Sequence, residues 1–300
     1  MKTPSIKNNG ASVIIAGISG YIGQFLYEGL SPKFKVHGTY CNSPVAGGIH
    51  YDLTSSDPET LSLAKIKYAI LLAAKTKIDY CKLNPEQSRK VNVDGLIRLL
   101  TSLRKHHVFP IFLSSDAVYP GITGNYDESC PGPAVNDYGV QKRLVEDHIR
   151  EHFDKYCILR IPKTVGYLAG KPDLLETLYQ GLAKGEELHL LEDQRFQLLS
   201  LDDLQATIEF VMNHETTGIF NTAAPEATNR IEIAHHLASL MKVSTHNIKK
   251  VRMKDFRFAD KRAENSAMRI DKFLRLTDFK FQGPREITRI FLLKHGICPP

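Results

Sequence analysis

Apolar and polar positions alternate in blocks along the first half of the chain. The run SVIIAG (12–17) is continuously apolar, as in a strand covered on both faces, and IGQFLYEGL (22–30) follows with apolar residues at helical spacing. KVHGTY (35–40) and KYAILLA (67–73) are further strand-like runs. PEQSRKVNVDGLIRLLTSLRKH (85–106) carries a helical period, and FPIFLSS (109–115) returns to a strand. NDYGVQKRLVEDHIREHF (136–153) reads as a helix and YCILRIP (156–162) as the strand after it. This alternation predicts βαβ units with right-handed crossovers and a parallel sheet, whose ligands sit at the carboxyl ends of the strands.

After residue 165 the pattern becomes less regular. Helical stretches near 172–184, 201–213, 229–241 and 284–294 are separated by short strand candidates such as GIFNTA (218–223). The expectation is a nucleotide-binding domain over 1–165 and a smaller lobe over 166–300, with interleaved segments. No internal repeat or low-complexity linker interrupts them. A chain of 300 residues buries a full core without disulfides or metals.

Composition adds little beyond an ordinary soluble protein, at 42% hydrophobic and 24% charged residues. A net charge of +6 favours anionic substrates, but no run of Lys and Arg with interleaved aromatics marks a nucleic-acid partner. Cys41, Cys81, Cys130, Cys157 and Cys298 are scattered, odd in number and without a C-x-x-C pair. They point to a reducing compartment and offer no zinc spacing, so no metal is expected. MKTPSIKNNG lacks the apolar core of a signal peptide, and AILLAA (69–74) is too short to span a bilayer. A cytoplasmic protein with no membrane partner is expected.

The chemistry begins at GISGYIG, where Gly17, Gly20 and Gly23 stand between the first strand and the first helix. Glycine there allows the tight turn, the approach of backbone to a pyrophosphate and the close packing of helix on strand. The free N–H groups of the helix start then face a phosphate. This context predicts a Rossmann-type doubly wound parallel sheet with a smaller C-terminal α/β substrate-binding lobe, and a cofactor contacted also by Ser19, Tyr21 and Ile22. The second strand ends in TYCNSP, where Asn42 and Ser43 stand and no acid is present to bind ribose hydroxyls. That tilts the expectation toward NADPH, with NADH as the alternative.

The G-x-x-G-x-x-G spacing resembles that of the extended short-chain dehydrogenase/reductase family. FLSSDAVYPG (112–121) resembles the family's S-[ST]-x-x-V-[YF] stretch, with Val118 and Tyr119 aligning Ser115 as the active hydroxyl. YDESCPGPAVNDYG resembles its loop of Y-x-E, a proline and Tyr-Gly through Tyr126, Glu128, Pro133 and Tyr138. Tyr138 and Lys142, four apart, share a helix face. Alone that spacing is ordinary; in this company it reads as a proton-transfer pair. Free tyrosine titrates near ~10, so service near neutral pH needs a fall of about three pH units, roughly 4 kcal/mol, which a nearby ammonium largely supplies.

The resemblance implies Tyr138 as proton donor, Lys142 lowering its pKa and holding ribose, and Ser115 polarising a carbonyl as hydride arrives from the cofactor. VNVDG (91–95) resembles N-V-x-G, which implies Asn92 bonded to backbone and a relay water. LLAA (71–74) implies Ala73, Ala74 and Lys75 beside the cofactor. LRIP (159–162) implies Ile161 near the nicotinamide, and YDLT implies Asp52 and Leu53 near adenine, although Asp52 reads equally as a helix cap.

Within the family, AAKTKIDYCKLNPE (73–86) is similar to the A-A-x-T-x-[VI]-D segment of dTDP-4-dehydrorhamnose reductase-like proteins, through Thr76 and Asp79. KRAENSAMRIDKF (261–273) resembles their R-P-x-N-S-x-L…D…F, through Arg262, Asn265, Ser266 and Asp271. This branch implies reduction of the keto group of a nucleotide-linked 4-keto-6-deoxysugar, with Thr76, Asp116, Lys163 and Arg262 on the substrate and Arg262 toward its diphosphate. It also admits a homodimer. Ala263 replaces the family proline, and Lys163 stands where these reductases place a tryptophan. LRIP is also similar to the regulatory β subunit of methionine adenosyltransferase, which makes an NADP-binding partner protein one alternative; a 4-epimerase is another. Ala117 stands where a 4,6-dehydratase needs glutamate, which argues against dehydration.

Overall fold

The computed structural model describes residues 10–168 and 170–297; the opening residues 1–9 and Cys298 lie outside them. The strands are β1 Ser12–Ala16, β2 Lys35–Tyr40, β3 Ile49–His50, β4 Tyr68–Leu71, β5 Phe109–Ser115, β6 Cys157–Ile161, β7 Lys163–Val165, β8 Leu188–Leu191, β9 Leu198–Ser200, β10 Gly218–Asn221 and β11 Ile248–Val251. The helices are α1 Tyr21–Leu30, α2 Ile78–Leu83, α3 Pro85–Arg89, α4 Leu96–Lys105, α5 Asp137–His152, α6 Leu174–Lys184, α7 Leu201–His214, α8 Arg230–Met241, α9 Asp271–Leu274 and α10 Pro284–Lys294.

Seven strands form one sheet in the order β10-β6-β5-β4-β1-β2-β3, and every pairing is parallel. The strand order reverses at β1, whose neighbours are β2 and β4, and this is the crevice where open parallel sheets bind ligands. β4 and β6 are buried along their whole length, which explains why they read as continuous apolar runs rather than alternating ones.

One face of the sheet packs under α4 and α5 through Leu96, Leu99, Leu103, Val145 and Ile149. The other packs under α1 and α7 through Leu26, Leu30, Leu204, Ile208 and Val211. A third apolar cluster, with Leu178, Leu198, Ala234, Leu237 and Phe291, belongs to the second lobe. That lobe also holds the short parallel pairs β7–β9 and β8–β11. The chain crosses the 165/166 line in both directions: β10 joins the edge of the large sheet and α7 covers its face, while β7 pairs with β9 beyond the line.

The segment expected as one helix over 85–106 is divided. Between α3 and α4 the backbone widens to a π-helix over Lys90–Gly95. Such insertions re-aim side chains and concentrate at functional sites, and here the widened turn carries Asn92. A Cβ on Gly95 would lie 2.3 Å from the Leu53 carbonyl oxygen, so a bare backbone is required where this turn meets the loop after β3. Among the described residues, no helix is long and apolar enough to cross a membrane.

Candidate active site

A cavity of about 870 Å³ opens at the carboxyl edge of the sheet, between the strand ends and the second lobe. Its first wall is the glycine turn. Gly17 adopts φ +107°, and a Cβ there would meet the Ala73 backbone at 3.1 Å; a Cβ on Gly23 would fall 2.1 Å from the Gly17 oxygen. The turn is tied to β2 by the Gly17 and Ile18 N–H groups, which donate to Thr39 O at 3.1 and 2.8 Å. Gly20 caps α1 without a side chain, and among the described residues no side chain caps the N–H groups of its first turn. Ser19, Gly20, Tyr21 and Ile22 line the cavity beside them.

Two contacts from the second lobe close over this turn, and sequence patterns gave no sign of either. Lys171 Nζ donates to Ser19 O at 2.6 Å. The Tyr21 hydroxyl donates to Gly166 O and to Asp173 Oδ2, both at 2.9 Å, and Gly166 N–H donates to the same carboxylate at 2.7 Å. Tyr21 is therefore a clip between the lobes as well as part of the cavity wall. Burial pushes its phenol up from the ordinary tyrosine value.

At the other end, Asn42, Ser43, Asp52 and Leu53 line the cavity, with Ala73, Ala74, Lys75 and Thr76 along its floor. Asp52 caps a turn rather than a helix. Its Oδ1 accepts from Thr54 N–H at 2.7 Å and Thr54 Oγ1 at 2.8 Å, which holds its carboxyl below the usual value, while the residue faces the cavity. Beside it Tyr51 lines the space, and its buried hydroxyl has no partner among the described residues.

The reactive side chains converge from two elements. The Asn136 side chain accepts from Gly139 N–H at 3.0 Å and starts α5, which carries Tyr138 and Lys142 into the cavity. β5 delivers Ser115, whose Oγ donates to Asp116 Oδ1 at 3.0 Å and accepts from Ala117 N–H at 3.1 Å. Lys142 is 4% exposed. Its ammonium donates to Leu113 O at 2.8 Å and lies 5.8 Å from the Tyr138 ring centre.

The electrostatics differ from the sequence expectation. The Tyr138 phenol is pushed above the ordinary value, first by burial and then by the Asp116 and Cys81 charges. Lys142 is itself lowered to about 8 by burial, against the supporting charge of Glu146. The i,i+4 spacing brings the pair to one face, but the ammonium is directed at the Leu113 carbonyl, and burial of the phenol outweighs it.

Asn92, 2% exposed, stands behind the cavity wall rather than on it. Its Oδ1 accepts from Lys75 N–H at 2.7 Å, and its Nδ2 donates to Lys75 O at 2.9 Å and Gln141 Oε1 at 2.7 Å. Gln141 passes the chain on to Ser88 Oγ at 2.8 Å. The amide thus fixes the Lys75 backbone. Beneath Lys142 lies a second buried network, in which Glu146 bonds Arg160 and Ser114, and Arg160 also donates to the Tyr119 hydroxyl at 2.9 Å.

On the substrate side, Asp116 Oδ2 accepts from Ser266 Oγ at 2.7 Å, which wires the C-terminal motif to the residue beside Ser115. Burial pushes the Asp116 carboxyl up. Arg262 lines the cavity but is committed: it pairs with Asp79 Oδ2 at 2.7 Å and stacks over Phe258 at 4.6 Å. Lys163 and Ile161 line the cavity too, together with Gln194, Phe196 and Arg230, which the sequence reading missed because they belong to the irregular second half.

A parallel dinucleotide-type sheet with a glycine turn at its switch point, and Ser, Tyr and Lys gathered at its catalytic edge, defines an extended short-chain dehydrogenase/reductase. Within that class the chain belongs to the family described as RmlD substrate binding domain, which it matches over residues 11–292. It is similar to a probable low-salt glycan biosynthesis reductase, Agl14, of Haloferax volcanii, at 24% identity over 63% of this chain and 65% of that one. It is also similar to a dTDP-4-dehydrorhamnose reductase of Streptomyces griseus, at 27% identity over 61% of this chain and 59% of that one. The chain thus spans less than two thirds of the length of either relative. In fold it resembles the dTDP-4-dehydrorhamnose reductase of Bacillus anthracis solved with NADP, with a TM-score of 0.85, 20% identity, and coverage of 95% of this chain and 99% of that one.

Proposed function

We propose that the protein is an NAD(P)H-dependent reductase of the keto group of a nucleotide-linked 4-keto-6-deoxysugar. The observation that carries this reading is the convergence of Ser115, Tyr138 and Lys142 on one cavity whose other wall is the glycine turn. The residues suit a dinucleotide. The bare Gly17–Gly23 contact and the α1 start, where Gly20 offers no side-chain cap, fit a phosphate-bearing ligand. No carboxylate ends β2, which suits NADPH, with NADH as the alternative.

The bound cofactor supplies the hydride. The chain's own residues handle the oxygen and its proton. Ser115 Oγ turns its proton from Asp116 to the substrate carbonyl and polarises it. Tyr138, kept protonated by its raised pKa, gives its proton to the oxygen as negative charge develops there. Lys142, at about 8 still largely an ammonium at neutral pH, sits 5.8 Å from the Tyr138 ring centre and supplies positive charge near the phenolate that this leaves. Asn92 holds the Lys75 segment of the wall in register. The proposal includes a homodimer, to be checked by sedimentation.

The test is a panel of dTDP-, UDP- and GDP-linked 4-keto-6-deoxysugars followed by loss of NADPH and NADH absorbance. Turnover of at least one member supports the reading. Tight NADPH binding with no turnover of any member points instead to a cofactor-binding regulatory subunit.

A further inference from the structure

We propose, as a refinement resting on that reading, that Lys163 and Arg230 form an oxyanion subsite for the substrate, taking a phosphate of its diphosphate or a carboxylate on its sugar. Lys163 opens β7 just beyond the end of β6, where Ile161 is in register with Ser115. Arg230 opens α8 and stacks its guanidinium over Phe196 at 5.3 Å. Both line the same cavity.

What distinguishes them is the absence of a carboxylate partner. Arg262 is neutralised by Asp79. Among the described residues, the Lys163 side chain has no hydrogen bond or ion pair, and the Arg230 guanidinium has only the Gln194 amide and the Phe196 ring. The two cations are close enough that Arg230 helps lower the Lys163 pKa, after burial. The acids that face Lys163 are Asp116 and Asp173, and both are already engaged. Asp116 is bonded by Ser115 and Ser266, and Asp173 by Tyr21, Gly166 N–H and Glu176 N–H.

Two cations that line one cavity repel one another, a cost that an incoming anion relieves. The anion is assigned to the substrate because the glycine turn has its own donors, the α1 N–H groups and Lys171.

The experiment is calorimetric titration of the NADPH-loaded protein with dTDP, UDP, UDP-glucose and UDP-glucuronate. Wild type is compared with Lys163→Met, Lys163→Arg and Arg230→Gln, each first matched for melting temperature. Loss of one charge-assisted contact weakens binding roughly tenfold to a hundredfold. Lys163→Met and Arg230→Gln should show that loss, Lys163→Arg should retain affinity, and NADPH affinity should be unchanged. An equal loss for all nucleotides assigns the subsite to phosphate; a loss confined to UDP-glucuronate assigns it to a sugar carboxylate. Unchanged affinity for every probe in both charge-removing variants overturns the proposal, as does failure of wild type to bind any probe. A loss of NADPH affinity in its place also overturns it, because the subsite then belongs to the cofactor. The readout is binding, so it stays separate from turnover: anion binding without reductase activity would sink the proposed reaction and leave the subsite standing.

Discussion

Replacing Glu146 with Gln probes the buried network beneath Lys142. The Glu146 carboxylate is 1% exposed and meets the 6%-exposed Arg160 through Nε at 3.0 and 3.2 Å and through a terminal nitrogen at 2.5 Å. Gln has the same shape and keeps an oxygen for Ser114, so the substitution removes charge rather than volume. Arg160 is then a buried cation with no counter-charge, and breaking such a pair from one side costs about 3–5 kcal/mol. The same change strips Lys142 of the nearby charge that supports its ammonium. The Lys142 pKa therefore falls further below about 8, and the basic limb of the pH–rate profile moves to lower pH by about one pH unit. Urea unfolding reads the first effect and kcat against pH the second. A loss under about 1 kcal/mol, the range of an exposed pair, together with an unmoved basic limb, would refute the reasoning.

Three further outcomes follow from the same geometry. Gly23→Ala places a methyl 2.1 Å from the Gly17 oxygen, so the turn must open, and NADPH affinity by fluorescence titration should fall at least about tenfold while Tyr138 and Lys142 stay in place. Lys142→Met should alter the pH dependence of stability. The native Lys142 pKa of about 8 lies below the unfolded value, so burial of the ammonium carries a cost of about 3 kcal/mol that is fully present below pH 8 and fades as pH rises toward the unfolded value. The stability difference between Lys142→Met and wild type should accordingly be largest near neutral pH and shrink above pH 8; a constant difference contradicts the assignment. Asn92→Ala leaves the Lys75 N–H and carbonyl unpaired, and should cost about 1–3 kcal/mol in urea unfolding with weaker cofactor binding.

The middle of the sheet was legible because β1, β4, β5 and β6 are buried, largely apolar runs of four to seven residues set among helical periods. β5 lies over the expected 109–115, and α10 over the expected 284–294. The elements that escaped are short. β3, β7, β8, β9 and β11 have two to four residues each, and α2 has six, too few for a period to register. The π-helix at Asn92 was hidden for another reason, since one extra residue in a turn leaves the apolar spacing on either side intact.

At the site, motif order placed every expected lining residue on one cavity except Asn92, which acts from behind the wall. Local spacing did not convey the sign of the Tyr138 shift, because burial and the Asp116 charge come from elements distant in sequence. Nor did it convey that Asp79 occupies Arg262, a contact across 183 residues that leaves Arg230 as the less committed guanidinium.

The central claim is that Tyr138 protonates a substrate oxygen while hydride passes to the adjoining carbon in this cavity. It is tested most directly by single-turnover reduction of the best nucleotide-linked 4-keto-6-deoxysugar with NADPH deuterated at the transferring position, in wild type and Tyr138→Phe. One deuterium is expected on the former keto carbon in wild type. In Tyr138→Phe the rate is expected to be lower by roughly 10²–10⁴-fold with NADPH affinity intact. Equal rates in the two proteins, or a product without deuterium at that carbon, would contradict it.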